Sequence, residues 1–344
     1  MSQIDRRAFL AAAGASSAVP FAVSAQEPDV AWTPRASAPW PVQEIYGVEW
    51  GGLVVIAGGL VSRPGEPLHV EDRVGLYDPA TDLWDEGPKL PAPRHHPMLI
   101  AGNDGRIYAF GGYARSDAGD WTAMTDVWAL DAGEWKAVAP LPERLCETVG
   151  VNHAGVLHLI TGRSPIGEAN AGWRDHGDVA THRVYIPGDD RWETARPCPV
   201  ARNSAAGAAV DGAIWVAGGR TVSGGGTGQL DRYDPIEDRW DTLAPIPRSE
   251  ASGQQVGGGL AMAAAGGKLV AFGGEWFAPG AGGGVFAETW IYDPTADRWA
   301  AGPPMGTPRH GLAAAAVNGV VYAVAGGERV SGGRAGATLE ALAL

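Results

Sequence analysis

The stretch that decides the fold runs from residue 211 to residue 240. It opens with Asp211-Gly212 and an apolar run, Ala213-Ile214-Trp215-Val216-Ala217, closed by Gly218-Gly219. It ends with Tyr233-Asp234-Pro235-Ile236-Glu237-Asp238-Arg239-Trp240. Asp-Gly supplies the positive φ that a two-residue hairpin needs, so the apolar run is the second strand of a hairpin. In Tyr-Asp-Pro, the Asp caps its own turn and Pro fixes φ, which marks a second hairpin with the aromatics flanking its bend. Two hairpins make four short antiparallel strands, a to d.

The unit repeats along the chain. Gly-Gly pairs recur at Gly58-Gly59, Gly111-Gly112, Gly273-Gly274 and Gly326-Gly327, with Thr161-Gly162 as a degraded copy. A hairpin turn precedes each: Gly51-Gly52, Asp104-Gly105, Ala154-Gly155, Gly266-Gly267 and Asn318-Gly319. The second mark recurs as Tyr77-Asp78-Pro79 with Trp84 and as Tyr292-Asp293-Pro294 with Trp299. Weaker copies are Trp128…Trp135 and Tyr185-Ile186-Pro187 with Trp192. The blade count follows from the ends. Trp32 marks a strand d with no strand c before it, and Thr338 to Leu344 reads as a strand c with no strand d after it. The expectation is one closed ring of six blades, with the N-terminal strand completing the last. Deleting residues 338–344 would leave the strand at Trp32 unpaired.

These marks resemble kelch repeats, which implies an all-β fold, a six-bladed kelch β-propeller over residues 26–344. Residues 1–25 carry Arg6-Arg7-Ala8-Phe9-Leu10, an Ala-rich apolar stretch and Val23-Ser24-Ala25. They resemble a twin-arginine export signal, which implies a periplasmic or secreted protein with no stable membrane insertion after cleavage.

The 344 residues include 51 Gly and 14 Trp and carry a net charge of −13. Such an acidic chain lacks the basic footprint that nucleic acid demands. Its two cysteines, Cys146 and Cys198, are too few for a four-cysteine metal site; whether they form a disulfide stays open.

The long b–c and d–a loops fall on one face, around the central mouth, where function belongs. That rim holds Gln43, Glu44, His95, His96, Glu147, Arg163, Arg202, Asn203, Arg220, Glu275, Arg309 and His310. The third b–c loop adds Asn170, Trp173, Asp175 and His176, and the fifth adds Trp276 beside Phe277. Polar groups beside aromatic faces suit a polar small ligand such as a sugar; a protein partner is the other reading. Neither cofactor nor metal is expected, because no ligand spacing such as HExxH occurs.

The last blade, from Gly326 to Ala335, resembles that of the bacterial N-acetylneuraminate epimerase (sialic acid mutarotase) family. The resemblance implies a functional Glu directly after the fourth Gly-Gly mark and an Arg six residues later. Arg220 and Gly226 stand there; Glu328 and Arg334 show that spacing in blade six and are the candidate catalytic pair. Such a pair suits proton transfer on an anomeric hydroxyl. Three functions remain open: a sugar-binding propeller, a mutarotase-type enzyme and a protein-interaction scaffold.

Overall fold

The computed structural model describes residues 30–61, 65–66, 68–117, 119–223, 225–278, 280 and 282–344. The segment read as an export signal lies outside these residues. Six four-stranded antiparallel meanders follow one another round a ring. Blade 1 comprises Gly47–Trp50, Leu53–Ala57, Val74–Asp78 and Leu83–Gly87. Blade 2 comprises Met98–Ala101, Ile107–Phe110, Val127–Asp131 and Glu134–Ala137. Blade 3 is built on a long hairpin, Val156–Pro165 with His176–Ile186, flanked by Val149–His153 and Arg191–Thr194. Blade 4 comprises Ala206–Val210, Ala213–Ala217, Leu230–Asp234 and Arg239–Leu243. Blade 5 comprises Leu260–Ala265, Lys268–Gly273, Thr289–Asp293 and Arg298–Ala301. Blade 6 takes Ala313–Val317, Val320–Gly327 and Ala335–Ala343 from the C-terminal end, and Thr33–Arg35 from the N-terminal end. Thr33 pairs with Ala341 and Arg35 with Leu339, so the N-terminal strand closes the last blade.

Adjacent blades are stitched by the second mark. In blade 4 the Tyr233 hydroxyl donates to Asp238 (2.8 Å), whose Oδ1 also accepts the Arg196 backbone N–H of blade 3 (2.8 Å). The Trp240 indole N–H donates to the carbonyl of that same Arg196 (2.9 Å). The clamp recurs at Tyr292–Asp297–Trp299 on Ala244, at Tyr185–Asp190–Trp192 on Ala139 and at Tyr77–Asp82–Trp84 on Ala36. The Asp five residues after each Tyr occupies left-handed backbone, φ 44–57°. Between blades the cores are aliphatic and aromatic, as in the cluster of Trp215, Leu269, Ala271 and Tyr292. Since a single meander cannot bury both of its faces, stability comes from such stacking. Among the described residues no helix is long and apolar enough to cross a membrane.

Candidate functional site

Each d–a loop enters its blade through a residue in left-handed conformation: Glu44, His96, Glu147, Ser204, Gly259 and Gly311, with φ between 47° and 70°. Their backbones link around the axis. His96 N–H donates to Glu44 C=O (2.9 Å), Ser204 to Glu147 (2.9 Å), Gly259 to Ser204 (3.1 Å), Gly311 to Gly259 (2.8 Å) and Glu44 to Gly311 (2.7 Å). These five bonds run through all six residues as an open hoop at the b–c/d–a face. Four non-glycine residues hold a conformation that side chains disfavour, which is how strained positions gather at functional sites. At Gly311 a Cβ would stand 2.7 Å from a Glu44 carboxylate oxygen, so a side chain there would push that carboxylate aside.

Above the hoop opens a cavity of about 1000 Å³. Its floor is Glu44, His96, Glu147, Arg220 and Glu275, and Trp121, Trp173 and Phe277 stand in its walls. The floor is one connected network. Arg220 donates to Glu275 Oε1 (2.5 Å) and to Asn203 Oδ1 (3.1 Å), and lies 3.6 Å from Glu147. Glu147 also accepts from the Ser204 hydroxyl (2.7 Å), the Tyr113 hydroxyl (3.1 Å) and Arg163 (3.2 Å). Burial works against the Glu147 charge, but His96, Arg220 and Arg163 outweigh it and hold its pKa down at about 2. Glu44 behaves likewise: burial raises its pKa, while His96, then His310 and Arg220, bring it well below the usual range. Arg220 is raised, since the three surrounding carboxylates outweigh its burial.

Hydrogen bonding assigns the protons on the histidines. His95 Nε2 lies 3.0 Å from the Asp120 carbonyl, which only accepts, so Nε2 carries the hydrogen. Burial and then His96 push the His95 pKa down to about 3, so it is neutral and its Nδ1 accepts from His96 Nδ1–H (2.9 Å). His96 Nε2 then faces Glu44 Oε2 at 2.8 Å, a contact that needs one proton between them. The floor thus presents a proton-sharing carboxylate–imidazole pair to the cavity.

The structure sorts the residues expected at the site. His96, Trp173, Arg220 and Glu275 line the cavity. His95, Arg163, Asn203 and His310 stand directly behind them. Arg163 lies 4.0 Å from the centre of the Trp173 ring, and His310 Nδ1 lies 3.5 Å from Glu44 and 3.7 Å from Glu275. Three residues build the third loop instead. Asn170 bonds both backbone groups of Ala123 and accepts from His176, while Asp175 accepts the Ala171 and Gly172 N–H groups. Asp175 is thereby spent on its own turn and does not orient His176.

Arg202 and Arg309 turn away from the mouth into fully buried pairs with Asp231 (2.7 Å) and Glu340 (2.5 Å) on strand c. Trp276 packs on the core between blades 4 and 5. On a strand whose side chains alternate, Glu275 and Phe277 share the cavity side and Trp276 takes the other. Glu328 and Arg334 bond each other (3.0 Å) on the blade-six loop, and neither belongs to the cavity wall. At the positions of the resembled family's pair, Arg220 and Gly226 face each other across a short two-stranded ladder. Trp121 went unnoticed in the sequence; a Trp outside the repeat marks, as at Trp173, was its signal. Cys146 and Cys198 are buried free thiols. Among the described residues no three His, Cys, Asp or Glu side chains are arranged to hold a metal ion.

Fold and repeat marks together define a six-bladed kelch β-propeller with a polar, tryptophan-walled mouth. The Kelch motif family matches residues 201–247 and 257–306, the stretches around blades 4 and 5. The chain is similar to beta-scruin of Limulus polyphemus (27% identical over 147 residues, 42% of this chain and 15% of that protein). It is similar to the kelch-like protein terF of Aspergillus terreus (25% over 185 residues, 53% and 39%) and to human kelch-like protein 33 (31% over 219 residues, 59% and 37%). The chain therefore spans well under half the length of these relatives. Among solved structures, that of YjhT superposes with a TM-score of 0.72 at 16% identity, over 88% of this chain and 95% of that one, which shows a shared fold.

Proposed function

We propose that this propeller binds a polyhydroxylated small molecule, a carbohydrate, at the b–c/d–a mouth. The observation that carries the reading is the floor of Glu44, His96, Glu147, Arg220 and Glu275 beneath the rings of Trp121 and Trp173. Carboxylates accept from sugar hydroxyls, Arg donates to them, and aromatic faces cover the C–H face of a pyranose. Formal charges of both signs interleave on the floor, which matches a ligand rich in hydroxyls. Line broadening in NMR spectra of a panel of freshly dissolved neutral and acidic sugars tests this. At least one sugar is expected to broaden, with affinity reduced about tenfold or more in Glu275→Gln, which loses the charge facing Arg220. Silence across the panel transfers the reading to a protein partner.

A second reading, mutarotase-type chemistry, draws on the Glu44–His96 pair. Ring opening of a sugar needs an acid at the ring oxygen and a base at the anomeric hydroxyl, and a pair sharing one proton offers a group for each role. In that reading His96→Asn slows the anomer exchange seen in the same spectra. We also propose export through the twin-arginine-type segment at residues 1–25, with the site facing the periplasm or the medium.

A further inference from the structure

Above its charged floor the cavity has a second layer of different chemistry. Each of the six b–c loops sends at least one apolar side chain to the lining, in blade order Leu68, Trp121, Trp173, Val222, Phe277 and Val330, with Leu60 and Ala278 beside the first and fifth of these six. Between them the polar side chains of the wall are Thr221, Ser223 and Ser331, which are uncharged; every charged lining group lies on the floor. Two of these six are conspicuously wet. Phe277 is 48% exposed and Val222 37% exposed, although most large apolar side chains of the described residues are buried. Of the other exposed ones, Leu83 and Ile236 sit singly at hairpin turns, Ile166 lies on the third b–c loop outside the cavity lining, and Val30 and Leu344 lie at the ends of the described residues, whereas Phe277 and Val222 face one concave space. The backbone around Phe277 is kept clear by small residues. Gly282 and Gly283 pair with Ala278 and Phe277, and a Cβ on Gly283 would stand 3.1 Å from the Phe277 ring and 3.2 Å from Val330.

A free hexose offers hydroxyls in every direction in its plane, and these would meet a wet apolar collar with few partners. Apolar surface left exposed in a pocket marks where a ligand completes the burial. We propose that the natural ligand has two parts, a hydroxylated head on the Glu44–Arg220–Glu275 floor and an apolar aryl or alkyl group enclosed by the collar, as in a glycoside with an apolar aglycone. The head rests on the carbohydrate reading above; the collar shares Trp121 and Trp173 with that reading and adds Phe277 and Val222, which do not depend on it.

The experiment separates the two. The full chain is titrated with 1-anilinonaphthalene-8-sulfonate, whose fluorescence rises when its rings leave water. Matched pairs of methyl and phenyl glycosides, drawn from the sugar panel, then compete for the site. Expected are saturable dye binding, a loss of at least tenfold in dye affinity in Phe277→Ala and in Val222→Ser, and displacement by a phenyl glycoside about tenfold better than by its methyl partner. Far-UV circular dichroism and an unchanged Tm confirm that each variant is folded. Two results overturn the proposal: dye binding unaffected by both substitutions, or methyl and phenyl partners that displace equally well. Dye binding that depends on Phe277 but is displaced by no glycoside supports the apolar collar and overturns the sugar head.

Discussion

At the scale of the residue, two histidines form a pair locked in blade 3, apart from His95 and His96 at the mouth. His158 Nδ1 and His182 Nε2 lie 2.8 Å apart, and His182 Nδ1 donates to the Arg196 carbonyl (3.2 Å). The bond between them therefore takes its hydrogen from His158, and both rings are neutral. Burial lowers His158 to about 3, helped by His182, and lowers His182 to about 4. A histidine depressed below its unfolded value of 6.5 binds fewer protons in the fold than in the open chain. Its contribution is complete above pH 6.5 and is lost as pH falls toward the folded value, at ~1.4 kcal/mol per pH unit per proton. Urea unfolding is expected to show stability declining from pH 6.5, well before Glu147 begins to add to the loss below its ordinary value of 4.5. His158→Gln, which keeps a donor for His182 and does not titrate, is expected to make the decline between pH 6.5 and 5 shallower by about one proton. An unchanged slope would mean that the pair is not neutral in the fold. Little of this shows in the sequence, because His158 and His182 occupy positions that read as ordinary strand. Arg202 and Arg309 show the opposite error. They read as rim cations, but the buried carboxylates of Asp231 and Glu340 on strand c draw them into the blades.

Among elements, the stitch between blades recurs at Tyr77, Tyr185, Tyr233 and Tyr292. Removing the Asp297 carboxylate leaves the Tyr292 hydroxyl and the Ala244 N–H without their acceptor. Asp297→Ala is expected to cost about 2 kcal/mol and to lower Tm by about 5 °C, with Asp297→Asn costing less than half as much because it retains an acceptor oxygen. Differential scanning calorimetry measures both, and equal losses would assign the effect to the charge of the carboxylate rather than to its acceptor oxygen, since Asn tolerates the left-handed backbone as Asp does. The blades themselves were legible, since a Gly-Gly pair and a Tyr-Asp-Pro turn are forced by backbone geometry. The floor was half legible. Glu44, His96, Glu147 and Ser204 share one left-handed position, but without glycine in common they leave no written column. Phe277 could have been chosen over Trp276 by parity alone, once Glu275 was placed on the cavity side.

For the whole molecule, closure depends on three residues at one end meeting strand c at the other. The Thr33 hydroxyl donates to the Ala341 carbonyl, and the Trp32 indole N–H reaches Thr289 of blade 5 (2.9 Å). Deleting residues 338–344 strips the partners of Thr33–Arg35 and opens the ring, so Tm is expected to fall by about 10 °C or more. Unchanged melting would sink the closure scheme. The same seam imposes an order on biosynthesis. Thr33 leaves the ribosome 308 residues before Ala341. At ~5–20 residues per second it waits roughly 15–60 s for its partner. Throughout that interval the nascent strand is a bare edge able to pair with any neighbouring chain. Pro34, which has no N–H to offer, and the charge of Arg35 make it a poor template for such mispairing. The residues that lock the finished ring also guard the unfinished one.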